Sequence, residues 1–362
     1  MLPIEDLDTP AVLIDLDRLE RNVARMAERA RAAGVALRPH CKTHKLPEVA
    51  RMQLAAGAKG ITLAKVGEAE VFAAAGLEDI FLAYPVVGEK KARRLLALAD
   101  RVRLAVGADS VVGARTLGDV FAAAGRSLDV MLKIDVGFHR AGVPPEQALA
   151  LARQLVDVKG LRLRGIFTHA GQGYGCETAE ALAGAGHHEG DAMSAVAREL
   201  RGAGLPCEVV SVGSTPTALH AMRPGVTESR PGTYVYYDAS EVSLGVCTLD
   251  DCAISVLATV VSAPAADRAV VDAGSKTLSN DPLRPKAAGH GWVAGRKSRL
   301  ARLSEEHGVV GVVPGESFAV GERVRIVPNH ACVVSNLVDS VYAVRGGQVE
   351  AEWRVAARGR IV

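Results

Sequence analysis

From about residue 18 to residue 235, short apolar runs alternate with alanine-rich amphipathic stretches, and this alternation constrains the fold more than any other feature. Candidate strands lie at 35–38, 61–64, 80–84, 102–106, 130–135, 163–169, 208–212 and 228–230. Helix-like patterns lie between them, at 19–33, 47–56, 66–75, 90–98 and 147–156, with apolar residues recurring at three- and four-residue steps. Gly34, Gly57 and Gly76 stand where helices should stop. Alternation of this kind implies a parallel sheet with right-handed crossovers. Eight repeats are the number that closes a (β/α)8 TIM-type barrel. An open doubly wound sheet is the alternative, but no Gly-x-Gly-x-x-Gly follows the first strand.

The texture changes near residue 240. β-branched runs at 252–263, 269–272, 309–313, 322–327, 338–344 and 349–355 are separated by turn residues such as Arg345-Gly346-Gly347, as in an antiparallel β domain. The expected division is a barrel over 18–237 and a β domain over 1–17 plus 238–362. The opening strand at 11–15 is thereby expected in the β domain rather than in the barrel.

Composition excludes several classes. The 43 basic and 41 acidic residues leave a net charge of +2, and 4% of residues are aromatic, so neither a nucleic-acid surface nor a basic membrane patch is expected. Six scattered cysteines read as reduced thiols, and no basic-then-apolar leader opens the sequence. A water-soluble cytoplasmic protein is the expectation.

Active groups of such barrels sit at the C-terminal ends of the strands. Those ends supply His40 and Lys42, then Asp135-Val136-Gly137-Phe138-His139-Arg140, then Thr168-His169-Ala170-Gly171. Gly213-Ser214-Thr215 and Arg230-Pro231-Gly232-Thr233-Tyr234 complete the mouth. A lysine at a buried strand end is costly unless paired, neutralised or covalently used, as in a Schiff base. A Gly-Ser-Thr loop after strand seven lies where barrels often hold a phosphate. Lysine and phosphate site together point to pyridoxal phosphate.

The sequence resembles the pyridoxal-phosphate enzymes that include D-threonine aldolase, eukaryotic-type D-serine dehydratase and D-3-hydroxyaspartate dehydratase, which share the alanine racemase fold (fold type III). The resemblance spans Asp8-Thr9-Pro10, Arg38-Pro39-His40-Cys41-Lys42-Thr43-His44-Lys45, the Asp135 to Val143 segment, Asp272-Ala273-Gly274, Glu306-His307-Gly308 and Val327-Pro328-Asn329-His330-Ala331-Cys332. It implies that Lys42 is the Schiff-base lysine and that Lys45 is a surface or phosphate-side residue. Arg140 would face the cofactor ring, with His40, His169 and Tyr174 beside it. Gly213, Ser214, Thr215, Gly232, Thr233 and Tyr234 would form the phosphate cradle. Relatives often carry His-Ser where this chain has Gln172-Gly173, which bears on the substrate side of the pocket.

His330 and Cys332, at i and i+2 on a segment expected to be extended, point the same way, and imidazole with thiolate suits Zn²⁺. On spacing alone, a lone His-x-Cys is more often a packed histidine and an ordinary buried cysteine. The resemblance implies a metal pair there, with Mn²⁺ or Mg²⁺ as alternatives to Zn²⁺. Lys42, His330 and Cys332 are therefore the catalytic candidates. His307 would either reach the site across a dimer or be an exposed loop residue.

The implied activity is a lyase on small D-β-hydroxy amino acids, in a homodimer. Dehydration of D-serine or D-3-hydroxyaspartate is preferred, and retro-aldol cleavage of D-threonine is the alternative. A racemase would need a second base such as Tyr342, and a bare cofactor carrier would lack the β domain.

Overall fold

The computed structural model describes residues 2–283 and 289–362. Eight strands form one sheet: Ala36–Leu37 (β1), Ile61–Leu63 (β2), Asp79–Pro85 (β3), Arg103–Ala108 (β4), Leu128–Lys133 (β5), Leu161–Phe167 (β6), Val209–Val212 (β7) and Glu228–Ser229 (β8). They run in sequence order from β2 to β8 with β1 beyond β8, and every ladder is parallel. Between β1 and β2 there is no ladder. An isolated bridge, His40 to Thr62, holds that seam with Lys59 N donating to Leu37 O at 2.8 Å. The arrangement is barrel-like rather than a regular TIM barrel.

Local sequence explains the crossovers. Helix Leu16–Ala32 starts where the Asp15 carboxylate accepts the Arg18 N–H at 3.1 Å, and it buries Leu19, Val23, Met26, Ala27 and Ala30 on one stripe. Each large apolar side chain so buried contributes about 1.5–3 kcal/mol. Inside the barrel, Phe81, Met131 and Phe167 form a plug, the two phenyl rings meeting edge-on at 5.0 Å. Beneath the plug, the buried Arg38 guanidinium bonds Glu228 at 2.8 Å and also Asp79. Plug and ion pairs fill the N-terminal end and leave the open end to polar groups.

The second sheet is built around Ile254–Ala265, which pairs antiparallel with Arg268–Val271, Arg323–Pro328 and Ala11–Asp15. The opening strand thus belongs here, and it runs parallel to Ser340–Arg345 on its other side. Two motifs of the resemblance meet at this junction: the Thr9 hydroxyl donates to Asp272 Oδ2 at 2.5 Å, while Asp272 Oδ1 accepts the Thr259 N–H at 2.8 Å. Their role is to latch the N-terminus to the sheet.

Strands Gly291–Val293 and Arg299–Leu303 were not anticipated. One has three residues and the other carries exposed arginines, so neither shows an apolar run. Helices Val111–Ala123 and Ala179–Gly202 fill two crossovers whose glycine and alanine content blurs the helical period. Among the described residues, no helix is long and apolar enough to cross a membrane.

Candidate active site

The open end of the barrel holds two adjoining cavities. The deeper, about 50 Å³, is lined by His40, Lys42, Lys133, Arg140, His169, Tyr174, Ser214, Thr215, Arg230, Gly232 and Thr233, among others. The outer, about 380 Å³, shares Lys42, Arg140, His169, Tyr174 and Thr233 and extends to Asp238, Asp281, His330 and Cys332. Lys42 stands where they meet.

The turn after β1 separates the two lysines. Lys42 N–H donates to His40 Nδ1 at 3.3 Å, and its side chain faces the cavities with no ion-pair partner among the described residues. Burial lowers its pKa, Arg140 and Arg230 push the same way, and Cys332 opposes them. Lys45 takes a left-handed backbone, φ 55°, which turns it away from the cavities. It is buried rather than on the surface or near a phosphate: its ammonium meets Glu68 at 3.2 Å and donates to Asn336 Oδ1 at 2.7 Å.

Between the lysines lies His44, fully buried, whose Nδ1 accepts the Leu46 N–H at 3.1 Å while Nε2 has no partner. Burial pulls its pKa down to about 3. An unfolded chain therefore binds one more proton here between about pH 6.5 and 3, so this contribution to stability is complete above pH 6.5 and shrinks on acidification. Lowering the pH from 7 to 5 is expected to reduce unfolding free energy more in the native protein than in His44→Asn, at up to ~1.4 kcal/mol per pH unit. Equal losses in denaturant titrations would exclude His44 as the source.

The backbone between β7 and the turn after β8 forms an anion cradle. The N–H groups of Ser214, Thr215, Gly232 and Thr233 have no acceptor among the described residues, although they line the deep cavity. A Cβ on Gly232 would lie 3.0 Å from both His40 O and Thr43 Oγ1, so only glycine brings this backbone so close. The Gly213 N–H is already committed, donating to the buried Glu189 carboxylate at 2.9 Å. Tyr234 is a correction to the sequence reading. Its ring is fully buried in the core shared by the first barrel helices and the β domain and its hydroxyl accepts from Gln53 at 3.0 Å, so only its backbone N–H, bonded to Thr215 Oγ1, touches the cradle.

Around this cradle the surroundings are cationic. The buried Arg230 donates to Ser211 Oγ at 2.8 Å and to Thr168 O, packs on Phe81 and Phe167, and has its pKa lowered by burial to about 10. Lys133, at the end of β5, is buried with its pKa lowered to about 8, first by burial and then by Arg140 and Arg230. His169 Nδ1 lies 3.0 Å from Gly213 O, and burial beside Lys42 holds its pKa well below the usual value. The same causes keep His40 neutral. Sequence reading placed Arg230 at the mouth without a role and missed Lys133 as a site residue; its one signal was its place at a strand end.

Loop geometry sets the remaining walls. Asp135 Oδ1 accepts the N–H groups of Gly137, Phe138 and His139 at 3.0 Å each, shaping the turn that presents Arg140 over the Phe138 ring. Gln172 ties its loop to Val136 O at 3.0 Å, and a Cβ on Gly173 would strike Thr217 at 2.8 Å. The Gln172-Gly173 departure thus fits a loop packed tightly on its neighbours. His307 is exposed and Tyr342 packs on the outer face of the β sheet; neither lines these cavities.

His330 and Cys332 do lie together, but not on an extended segment. His330 caps helix Ala331–Leu337 and Cys332 is that helix's second residue. The imidazole and thiol line the same cavity and favour each other's charged form; despite opposing burial, the thiol and Asp238 raise His330 to about 10, while His330 and Lys42 lower Cys332. Asp281 Oδ2 holds His330 Nδ1 at 2.6 Å, which leaves Nε2 for another partner. The Thr43 hydroxyl lies 3.2 Å from Cys332 Sγ, linking this helix to the Lys42 turn. No cluster of three or more His, Cys, Asp or Glu able to hold a metal occurs among the described residues. A metal here would have two protein ligands, with positions left for substrate and water.

The chain is similar to known proteins over most of its length. The alanine racemase N-terminal domain model matches residues 14–240 and the putative serine dehydratase domain model residues 253–344. D-threo-3-hydroxyaspartate dehydratase of Delftia sp. (strain HT23) is 42% identical over 348 residues, 90% of this chain and 91% of that protein. D-threonine aldolase of an Arthrobacter species is 35% identical, covering 99% and 94%. A solved D-threo-3-hydroxyaspartate dehydratase superposes with TM-score 0.92 at 40% identity, covering 98% of this chain and 99% of its own. That structure is a cysteine-to-alanine variant in the metal-free form, and a histidine-to-alanine variant two positions earlier has also been solved.

Proposed function

Because the chain belongs to the alanine-racemase-fold lyases that include D-3-hydroxyaspartate dehydratase, D-threonine aldolase and D-serine dehydratase, we propose that it dehydrates a small D-β-hydroxy amino acid. The products would be a keto acid and ammonia. The observation that carries this reading is the convergence of unpaired Lys42 with the His330–Cys332 pair on one cavity of about 380 Å³.

The residues present fit both implied groups. Free N–H groups of Ser214, Thr215, Gly232 and Thr233 suit the phosphate of pyridoxal phosphate, with Lys42 at the aldehyde. His330 Nε2 and Cys332 Sγ suit a divalent ion, and thiolate softness favours Zn²⁺ over Mn²⁺ or Mg²⁺. Bound there, pyridoxal phosphate supplies an electron sink at the substrate α-carbon and the metal a Lewis acid for the β-hydroxyl. The protein does the rest. Lys42, held by burial below its usual pKa, takes the proton from the α-carbon. Arg230, Lys133 and Arg140 surround the deep cavity with positive charge and offset the phosphate and ring oxygens. Neutral His169 offers Nε2 as an acceptor and does not add to that charge.

Incubation with D-serine or D-3-hydroxyaspartate should yield keto acid and ammonia faster than D-threonine yields glycine and acetaldehyde. Stoichiometric glycine with no ammonia would replace the dehydratase reading with the aldolase one.

A further inference from the structure

The Tyr174 ring lines both cavities, and behind it lies a carboxyl that the reaction as described does not use. Glu241 is fully buried on the short helix Ala239–Ser243. Its Oε1 lies 3.2 Å from the Tyr174 hydroxyl, and its Oε2 has no hydrogen-bond partner. It forms no ion pair among the described residues.

The groups around Glu241 are chiefly acidic or phenolic. Asp238 and Tyr237 come from its own segment, Tyr174 from the loop after β6, Cys247 from the following turn, and Cys332 from the helix after Arg323–Pro328. The cationic group acting on Glu241, His330, is already held by Asp281 at 2.6 Å. Asp238 is better supplied, since its oxygens accept the N–H groups of Glu241 and Ala331 at 3.1 and 2.9 Å. A single proton shared by this buried acid pair therefore belongs on Glu241. Burial, then Asp238, drive its pKa well above the usual carboxyl value.

Placement of that proton decides what Tyr174 can do. An ionised Glu241 would accept the phenol's only hydrogen and leave Oε2 as a buried, unsolvated charge. A neutral Glu241 protonated on Oε1 instead donates to the phenol oxygen, and Oε2 becomes a carbonyl, for which a missing partner costs less. The phenol hydrogen is then free to point into the cavity.

We propose that Glu241 is a positioning residue that stays protonated and donates to Tyr174, so that the Tyr174 hydroxyl presents its hydrogen to the substrate oxygen departing from the β-carbon. The catalytic half of this statement rests on the lyase reading; the protonation half does not.

The test uses infrared difference spectra together with kinetics of the cofactor-loaded enzyme. The native protein at neutral pH should show a protonated-carboxyl C=O stretch that Glu241→Gln lacks. In Tyr174→Phe that band should move to higher frequency, because its hydrogen-bond acceptor is gone. Absence of the band, or its indifference to Tyr174→Phe, overturns the proposal even for a chain inactive on every D-β-hydroxy acid. In turnover, Tyr174→Phe and Glu241→Leu should lower kcat by roughly 10²-fold with KM and cofactor absorbance little changed. Glu241→Gln, whose amide N–H can donate as the neutral acid does, should restore most of what Glu241→Leu loses. A Gln variant as poor as the Leu variant would mean that the ionised carboxylate is required, and the proposal fails.

Discussion

Lys42→Ala is expected to lose the visible absorbance of lysine-bound cofactor and all measurable turnover together, while Lys45→Ala keeps the absorbance and loses stability instead. Both residues sit in one basic octapeptide, yet their surroundings assign them opposite work. Lys42 faces the cavities with no counter-ion, and burial lowers its pKa, which is what a nucleophilic amine needs. Lys45 is 6% exposed and bonded to Glu68 and Asn336. Glu68 is itself 2% exposed, with Oε2 accepting the Ala64 and Lys65 N–H groups. Removing Lys45 leaves a buried carboxylate without its cation, which costs about 3–5 kcal/mol. Absorbance spectra and urea unfolding of the two variants separate these outcomes. Loss of the band in Lys45→Ala at full folding would reverse the assignment.

That contrast shows how far the sequence carries. Strand–helix alternation located all eight parallel strands, because strands buried on both faces must be near-continuous apolar runs. It set the fold class and so the end of the barrel at which to look. The sequence could not show which lysine turns inward, since that depends on a left-handed backbone at Lys45 that no composition rule marks. Tyr234 was misplaced for a related reason. It adjoins Gly232 and Thr233 in sequence, but a 3-10 turn over Thr233–Val235 swings its side chain away from the cavity, into the core between the first barrel helices and the β domain. Glu241, Asp281 and Lys133 were invisible as site residues because their significance lies in what faces them across the fold. For His330 and Cys332 the proximity was anticipated and its reason was not: a helix start, rather than an extended strand, brings imidazole and thiol together.

Removal of metal is the second large effect expected, and it should leave the cofactor in place. The cradle is made of backbone N–H groups, and the Thr233 hydroxyl, 3.9 Å from Cys332 Sγ, touches the pair without using the Thr233 N–H, so chelation should leave the phosphate held. Loss of Lewis-acid help to the β-hydroxyl should lower turnover on the order of 10³-fold while the visible absorbance persists. His330→Ala and Cys332→Ala should match the chelated protein in metal content and rate. Asp281→Ala should be milder, since it fixes the orientation of the imidazole through the 2.6 Å contact to Nδ1, and a metal ligand's outer partner is commonly worth 10–100-fold in affinity. Added metal should therefore rescue Asp281→Ala but not the other two. Cys332→Ala carries one further consequence. Its thiolate is the strongest influence favouring the charged form of Lys42, so its loss should lower the Lys42 pKa further, whereas chelation alone keeps the thiol. Elemental analysis and absorbance titrations on the same samples decide the matter. Full activity in chelator at negligible metal content would remove the metal from the reaction and leave His330 and Cys332 as ordinary neighbours in the cavity wall.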